Sequence, residues 1–248
     1  ETPEGAYLEC STEDVIDACA KYPGRLVPFC LIDPRYGNDP SIDLSDLLSE
    51  YRERGCRGVG EVLPKLEFDD PRCINLYHHA EKLGMPVLFD MQDRPDGYGL
   101  RDEHGLPRLE RALSSCPDTI FIGHGPTFWA EISAEVPADD RSGYPTGPVV
   151  PGGAVPGLMR EYPNLWADTS AGSGHNAFTR DPSFGIEFLD EFQDKMLFGT
   201  DSCRRSDVNT EWRTITLFRE LRDGKKLSES TLEKIEWRNC AQLLGLEM

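Results

Sequence analysis

The 248-residue chain has little positive charge. Its 26 Lys and Arg residues face 44 Asp and Glu residues, so its formal net charge is −18. A surface this acidic repels phosphate backbones and anionic lipid headgroups, which argues against nucleic acid or a membrane surface as the main partner. No apolar run approaches the roughly 20 residues that cross a bilayer, and no signal peptide is visible. We therefore expect a cytoplasmic protein that acts on a small molecule, either alone or as a homo-oligomer.

Paired-cysteine motifs are also missing. The eight cysteines are scattered and none stands in a CxxC pair, which disfavours a thiolate zinc site or a thioredoxin-type motif. Several lie inside apolar runs, as Cys30 does in Leu26–Ile32. Such cysteines are typical of reduced core residues in a cytosolic protein.

Short apolar runs alternate with amphipathic segments along the whole chain. Continuous apolar runs predict strands that are buried on both faces. The predicted strands are Leu26–Ile32, Gly58–Leu63, Pro86–Phe89, Thr119–Ile122, Leu165–Ala167 and Met196–Phe198. The predicted helices are Thr12–Tyr22, Leu44–Arg54, Pro71–Leu83, Gly105–Ser115, Val155–Glu161, Pro182–Asp194, Trp212–Arg222 and Glu229–Leu244.

This alternation predicts an α/β fold with a parallel sheet and right-handed crossovers. Because barrels of this class run to about 250 residues as one unit, we expect residues 1–248 to form a single domain. The stretch near 136–155 is rich in proline and glycine and is interpreted as a loop insertion. It would be either a lid over the active site or a surface loop with no role there.

Five consecutive predicted strands carry, close to or just after their carboxyl end, a side chain that can ionise and ligate. These residues are Glu61, Asp90, His124, Asp168 and Asp201. A single strand-end Asp is often only a cap for the next helix. The prediction therefore depends on the occurrence of such residues at five strands in succession. Gathered at the carboxyl ends of parallel strands, such groups repel one another unless a cation sits among them. Carboxylates with an imidazole suit zinc, with manganese as the alternative.

Three further residues are candidates for substrate contact. His175 follows the Asp168 strand in a glycine-rich segment, which predicts a loop position suited to substrate contact or proton transfer. Arg180 and Arg204 could pair with an acidic substrate, because a guanidinium fork fits a carboxylate. Both stand close to aspartates in the sequence, so plain salt bridges are the alternative.

Four segments resemble the amidohydrolase superfamily, specifically its amidohydrolase-related metal-dependent hydrolases and decarboxylases. They are Ile122-Gly-His-Gly-Pro, Leu165-Trp-Ala-Asp-Thr-Ser, Leu197-Phe-Gly-Thr-Asp-Ser and Arg238-Asn-Cys-Ala-Gln-Leu-Leu-Gly-Leu. The resemblance implies a TIM-type (β/α)8 barrel. It also implies that Asp201 binds or faces the metal and handles the proton of the nucleophilic water. His124 would lie in the metal centre or polarise the substrate.

The sequence departs from this family in two places. The family's first strand carries a His-x-His pair that is not present here, which leads us to expect that the first strands of the barrel precede Glu1. The family also commonly has a His where this chain has Asp90. Glu61 resembles the ligating Glu of deoxyribonuclease-like members, so that Glu61 and Asp90 together could compensate.

The leading hypothesis is a metal-dependent hydrolase that cleaves a small-molecule amide, ester or lactone. Asp201 would be the general base and His124 the electrophile or ligand. The expected residue roles are metal binding by Glu61, Asp90, His124 and Asp201, and substrate binding by Asp168, His175, Arg180 and Arg204. A metal-dependent decarboxylase on the same scaffold is one alternative. An inactive barrel that serves as a binding module is another, favoured by the absent His-x-His pair.

Overall fold

The structure, a computed structural model, describes residues 10–94, 97–203, 206–207 and 212–246. Its strands are β1 Val59–Val62, β2 Val87–Asp90, β3 Phe121–His124, β4 Leu165–Asp168 and β5 Met196–Leu197. They follow one another in hydrogen-bonded order from β1 to β5. β1 pairs with β2 in parallel, and β4 pairs with β5 in parallel. This matches the predicted parallel α/β arrangement.

Helices separate the strands, as the alternation predicts, and further helices precede β1 and follow β5. They are α1 Thr12–Ala20, α2 Ser45–Glu53, α3 Pro71–Lys82, α4 Pro107–Ser115, α5 Pro126–Ala130, α6 Ala154–Glu161, α7 Ala171–Thr179, α8 Pro182–Glu191, α9 Arg213–Asp223, α10 Glu229–Glu233 and α11 Asn239–Leu244. A π-helical turn, Lys234–Arg238, links α10 to α11, so the predicted helix over Glu229–Leu244 contains a widened turn. None of the helices in the described ranges combines the length and hydrophobicity that a bilayer crossing requires.

Two sequence-based assignments are wrong. The predicted strand Leu26–Ile32 is reduced to a single parallel bridge between Cys30 and Val59, where Pro28 has no N–H to contribute to a ladder. The glycine-rich segment around His175 is not a loop but the helix α7. Its Gly174 is required by packing, because a Cβ there would stand 2.5 Å from the Thr169 carbonyl oxygen. The close approach of the two backbones thus requires glycine at this position, despite its low helix propensity.

The chain divides into two compact units, Glu1–Ile122 and Gly123–Met248, and the division falls inside β3. Aromatic rings form the core of the first unit. Phe68 packs edge-on against Phe89 of β2 with ring centroids 4.8 Å apart, and Tyr77 of α3 packs against Phe121 at 5.0 Å. All four residues are fully buried, so α3 covers the strands whose ends carry Asp90 and His124.

A second aromatic cluster holds the helices of the other unit together. Trp129 of α5 packs edge-on against Phe178 of α7 with ring centroids 5.0 Å apart. Phe188 of α8 continues the cluster, with its ring 4.6 Å from that of Phe192. The cluster therefore fixes α5 and α7, which begin just after the strand ends at His124 and Asp168.

The insertion near 136–155 is anchored to the same two helices. The buried Arg141 guanidinium donates from Nε to Glu131 Oε1 at 2.5 Å, directly after α5. Asn176 of α7 donates from Nδ2 to the Pro145 carbonyl at 3.1 Å. These contacts tie the insertion to its own unit, and whether it acts as a lid stays a prediction.

Candidate metal centre

Asp90 supplies a buried carboxylate at the end of β2. Its exposed fraction is 2%, and the loop that follows folds back over it, with Leu100 N donating to the Asp90 carbonyl at 2.8 Å. Gly99 has a φ of 101°, and a Cβ at this position would stand 2.7 Å from Asp90 Oδ1. Only glycine therefore allows this chain path so close to the carboxylate. Glu61 lies half-buried on the neighbouring strand β1.

His124 ends β3 and is held by two partners from the end of β4. Its Nδ1 lies 3.0 Å from Asp168 Oδ1 and 3.1 Å from Ser170 Oγ. Ser170 also donates to Asp168 Oδ1, from Oγ at 2.8 Å and from its backbone N at 3.0 Å. Because the Asp168 carboxylate can only accept, Nδ1 is the donor, so Nε2 is the ring nitrogen of His124 that could ligate a cation.

The electrostatics of Asp168 agree with this arrangement. Burial acts to raise its pKa, but the charge of His124 and the hydrogen bonds from His124 and Ser170 outweigh burial and lower the pKa below its usual range. Asp168 is therefore an ionised group that orients the imidazole. Ser170 is not among the site residues identified from the sequence. Its position two residues after Asp168 is the feature of the sequence that could have indicated it.

Asp201 follows β5 and lies close to the same two residues. It adopts the left-handed backbone conformation with a φ of 59°, which is uncommon for a residue with a side chain and is found at functional sites. Asp201 is exposed, yet the surrounding protein desolvates its carboxyl group enough to raise the pKa. Asp168 adds to this rise and His124 opposes it.

Three of the predicted ligands come together. Glu61, Asp90 and His124 each offer one ligand atom, and these atoms all lie within 4.8 Å of one another. Two carboxylates this close repel unless a positive charge lies among them. Carboxylate oxygen with imidazole nitrogen is a donor set that zinc and manganese accept. The residues therefore fit a divalent cation, and Asp201 lies outside this group of three.

The other candidates have different surroundings. His175 lies half-buried on α7, where burial and the charge of Arg213 lower its pKa. Arg180 caps the end of α7, and within the described residues its buried Nε and Nη2 atoms have no hydrogen-bond partner. Burial lowers the pKa of Arg180 while Asp181 opposes the shift. Arg204 lies outside the described residues.

Comparison with known proteins agrees with the fold and with the resemblance of the motifs. The family model described as Amidohydrolase matches residues 6–246. No curated protein matches the chain in sequence.

Several solved structures share the fold. One is an uncharacterized TIM-barrel protein, Bb4693, from Bordetella bronchiseptica, with a TM-score of 0.58 and 18% identity over 95% of this chain and 72% of that one. Another is a probable 2-pyrone-4,6-dicarboxylic acid hydrolase from Acinetobacter baumannii with citric acid bound. It has a TM-score of 0.57 and 13% identity over 95% of this chain and 79% of its own.

A third is a dihydroxybenzoic acid decarboxylase from Polaromonas sp. JS666 with bound manganese and the inhibitor 2-nitroresorcinol. It has a TM-score of 0.54 and 16% identity over 94% of this chain and 73% of its own. Identities this low establish a shared fold and nothing finer. They confirm the predicted TIM-type α/β architecture.

Proposed function

The chain belongs to the amidohydrolase family, and from that premise we propose that it is a metal-dependent hydrolase of a small-molecule amide, ester or lactone. The convergence of Glu61, Asp90 and His124 carries the proposal, because their ligand atoms lie within 4.8 Å of one another. A divalent cation, zinc or alternatively manganese, supplies Lewis acidity when bound there and makes water a stronger acid.

Within this proposal the protein's own residues have separate tasks. Glu61, Asp90 and His124 hold the cation. Asp168 is a positioning residue, since it accepts the hydrogen bond from His124 Nδ1 at 3.0 Å and so turns Nε2 toward the ligand position. Arg180 remains the candidate for a substrate carboxylate, because its buried Nε and Nη2 atoms lack partners among the described residues. His175 and Arg204 remain proposed substrate contacts, whereas for Asp168 the proposal replaces the expected substrate contact with the positioning of His124.

Asp201 is the proposed general base. It lies close enough to His124 and Asp168 for both charges to act on its pKa, which burial raises. A carboxylate with a raised pKa is a better proton acceptor near neutral pH than an ordinary one. It takes a proton from the attacking water and passes it to the leaving group.

Replacement of the base tests the proposal. We expect Asp201→Asn to lower kcat by about a thousandfold on any amide, ester or lactone that the wild type cleaves, with little change in the fold. The exposed Asp223 at the end of α9 gives the matched control Asp223→Asn, which should keep full activity. Turnover retained in Asp201→Asn would contradict the assignment.

A second candidate, a metal-dependent decarboxylase, is favoured by the Polaromonas decarboxylase, which has the same fold and bound manganese. A substrate panel separates the two activities. Lactones, amides and esters would be scored for hydrolysis, and aromatic carboxylates for release of carbon dioxide. Elemental analysis separates both enzymes from an inactive binding module, which needs no cation.

A further inference from the structure

A cavity of about 300 Å³ opens between α7 and α9, within the second unit. None of the three proposed metal ligands lines it, and of the proposed substrate contacts of the hydrolase only His175 does so. Its lining combines a cation, an anion, an imidazole, two hydroxyls and one apolar side chain, from Arg213, Glu220, His175, Thr179, Thr216 and Leu217. Its volume is at the lower end of the range for small-molecule sites.

Helical spacing explains why these residues share the cavity. Arg213, Leu217 and Glu220 are separated by four and three residues on α9, so they lie on one face of that helix. His175 and Thr179 are four residues apart on α7, where Thr179 Oγ1 donates to the His175 carbonyl at 2.7 Å. Both helices therefore place polar side chains on the face that lines the cavity.

The two charged groups of the cavity, Arg213 and Glu220, are both exposed. Among the described residues, neither the Arg213 nor the Glu220 side chain takes part in a hydrogen bond or ion pair. Arg222 on the same helix differs, since it pairs with both Glu229 and Glu236. Arg213 and Glu220 are thus available to a ligand that brings the opposite charges.

An apolar cavity of about 330 Å³ adjoins the polar one. The two share Thr179, Leu217 and Glu220, and these two neighbouring cavities are together called the groove. The apolar part is lined mainly by hydrophobic side chains, including Phe178, Ile186, Leu189 and Leu221.

We propose that this groove binds a zwitterionic α-amino acid with an apolar side chain. The ligand carboxylate pairs with Arg213, the ammonium group pairs with Glu220, and the side chain enters the apolar part. A guanidinium fork matches a carboxylate, and burial of an apolar side chain supplies affinity that two exposed ion pairs alone do not. His175 adds hydrogen bonding to the site, and its lowered pKa favours the neutral imidazole.

This site goes beyond the proposed hydrolase activity and is tested by binding alone. Isothermal titration of the full chain with L-leucine is expected to show saturable binding at one site. Three analogues each remove one feature of the ligand: 4-methylpentanoate lacks the ammonium group, 3-methylbutylamine lacks the carboxylate, and glycine lacks the side chain. Each is expected to bind at least about tenfold more weakly.

Variants assign the charges to residues. Arg213→Gln and Glu220→Gln are each expected to weaken leucine binding by about tenfold. Arg219→Gln, on an exposed position of the same helix, should leave binding unchanged. All three positions are exposed, so the variants should keep the wild-type circular dichroism spectrum.

Absence of leucine binding at millimolar concentration would overturn the proposal. Unchanged affinity in either Arg213→Gln or Glu220→Gln would overturn the zwitterion assignment, and glycine binding as tightly as leucine would overturn the role of the apolar part. Because no turnover is measured, failure here leaves the hydrolase proposal intact, and an inactive Asp201→Asn variant should still bind leucine.

Discussion

At the scale of single residues, the orientation of His124 is the feature on which the metal centre depends. Its Nδ1 lies 3.0 Å from Asp168 Oδ1 and 3.1 Å from Ser170 Oγ. A negative partner on Nδ1 raises the basicity of Nε2 and fixes the tautomer. We therefore propose that Asp168 acts on a bound cation through His124.

Asp168→Asn tests this role. The amide still offers one oxygen to His124 but lacks the charge, so we expect cation affinity to fall by about tenfold. Competition with a chromophoric zinc chelator measures the affinity, and Asp223→Asn serves as the control. Unchanged zinc affinity in Asp168→Asn would show that the hydrogen bond is only structural.

At the scale of elements, Asp70 has two roles at the start of the helix α3. It caps the helix and forms an ion pair with Arg72. Asp70 accepts from the backbone N of Arg72 at 2.9 Å and pairs with the Arg72 guanidinium at 2.7 Å. The hydrogen bond from the Arg72 side chain lowers the pKa of Asp70 below its ordinary 3.8, although burial opposes the shift. The ionised cap thus stabilises α3 above that pH.

We expect Asp70→Ala to lower the free energy of unfolding by about 1 kcal/mol at pH 7. Because the folded pKa is lowered, this stabilisation is present above pH 3.8 and is lost as the pH falls through the folded value. Urea unfolding at pH 7, 4 and 3 measures both effects. Asp70→Asn is the control that keeps the cap oxygen but removes the pH dependence. If the difference in the free energy of unfolding between the wild type and Asp70→Ala stays constant down to pH 3, this result would contradict the ionic contribution.

The insertion near 136–155 depends on a buried pair. Glu131 is fully buried and Arg141 is 8% exposed, so removal of the guanidinium takes the cation away from a buried carboxylate. We expect Arg141→Ala to lower the free energy of unfolding by about 3 kcal/mol, measured by urea denaturation.

The exposed pair of Arg160 and Glu191 provides the control. Arg160→Ala should lower the free energy of unfolding by less than about 1 kcal/mol. The double variant Glu131→Gln, Arg141→Met should recover most of the stability that Arg141→Ala loses. Equal losses in Arg141→Ala and Arg160→Ala would show that burial of the pair has no effect.

At the scale of the whole molecule, the cation should link folding to metal binding. A ligand that binds only the folded state at a hundred times its Kd adds about 2.7 kcal/mol to the free energy of unfolding. We expect Zn²⁺ or Mn²⁺ to raise the Tm and a chelator to reverse the effect. In Asp90→Asn the shift should largely disappear. An equal Tm shift in that variant would place the cation elsewhere.

Much of the fold follows from local patterns. The five strands from β1 to β5 and nine of the eleven helices described coincide with predicted segments or begin within a few residues of them; the exceptions are α5 and α7. Periodicity could not identify α7, because its Gly174 is required by close contact with Thr169, a residue outside the helix. The predicted strand at Leu26–Ile32 failed because Pro28 limits pairing with β1.

The sequence by itself determined the α/β class and the five strand-end groups, because apolar runs and turn residues act on neighbours along the chain. Only the tertiary structure decided which of those groups meet. It joined Glu61, Asp90 and His124 within 4.8 Å, turned Asp168 toward His124, and left Asp201 outside that group. The physical reason is that hydrogen-bond partners and ligand distances depend on strand neighbours far apart in sequence, which no local pattern encodes.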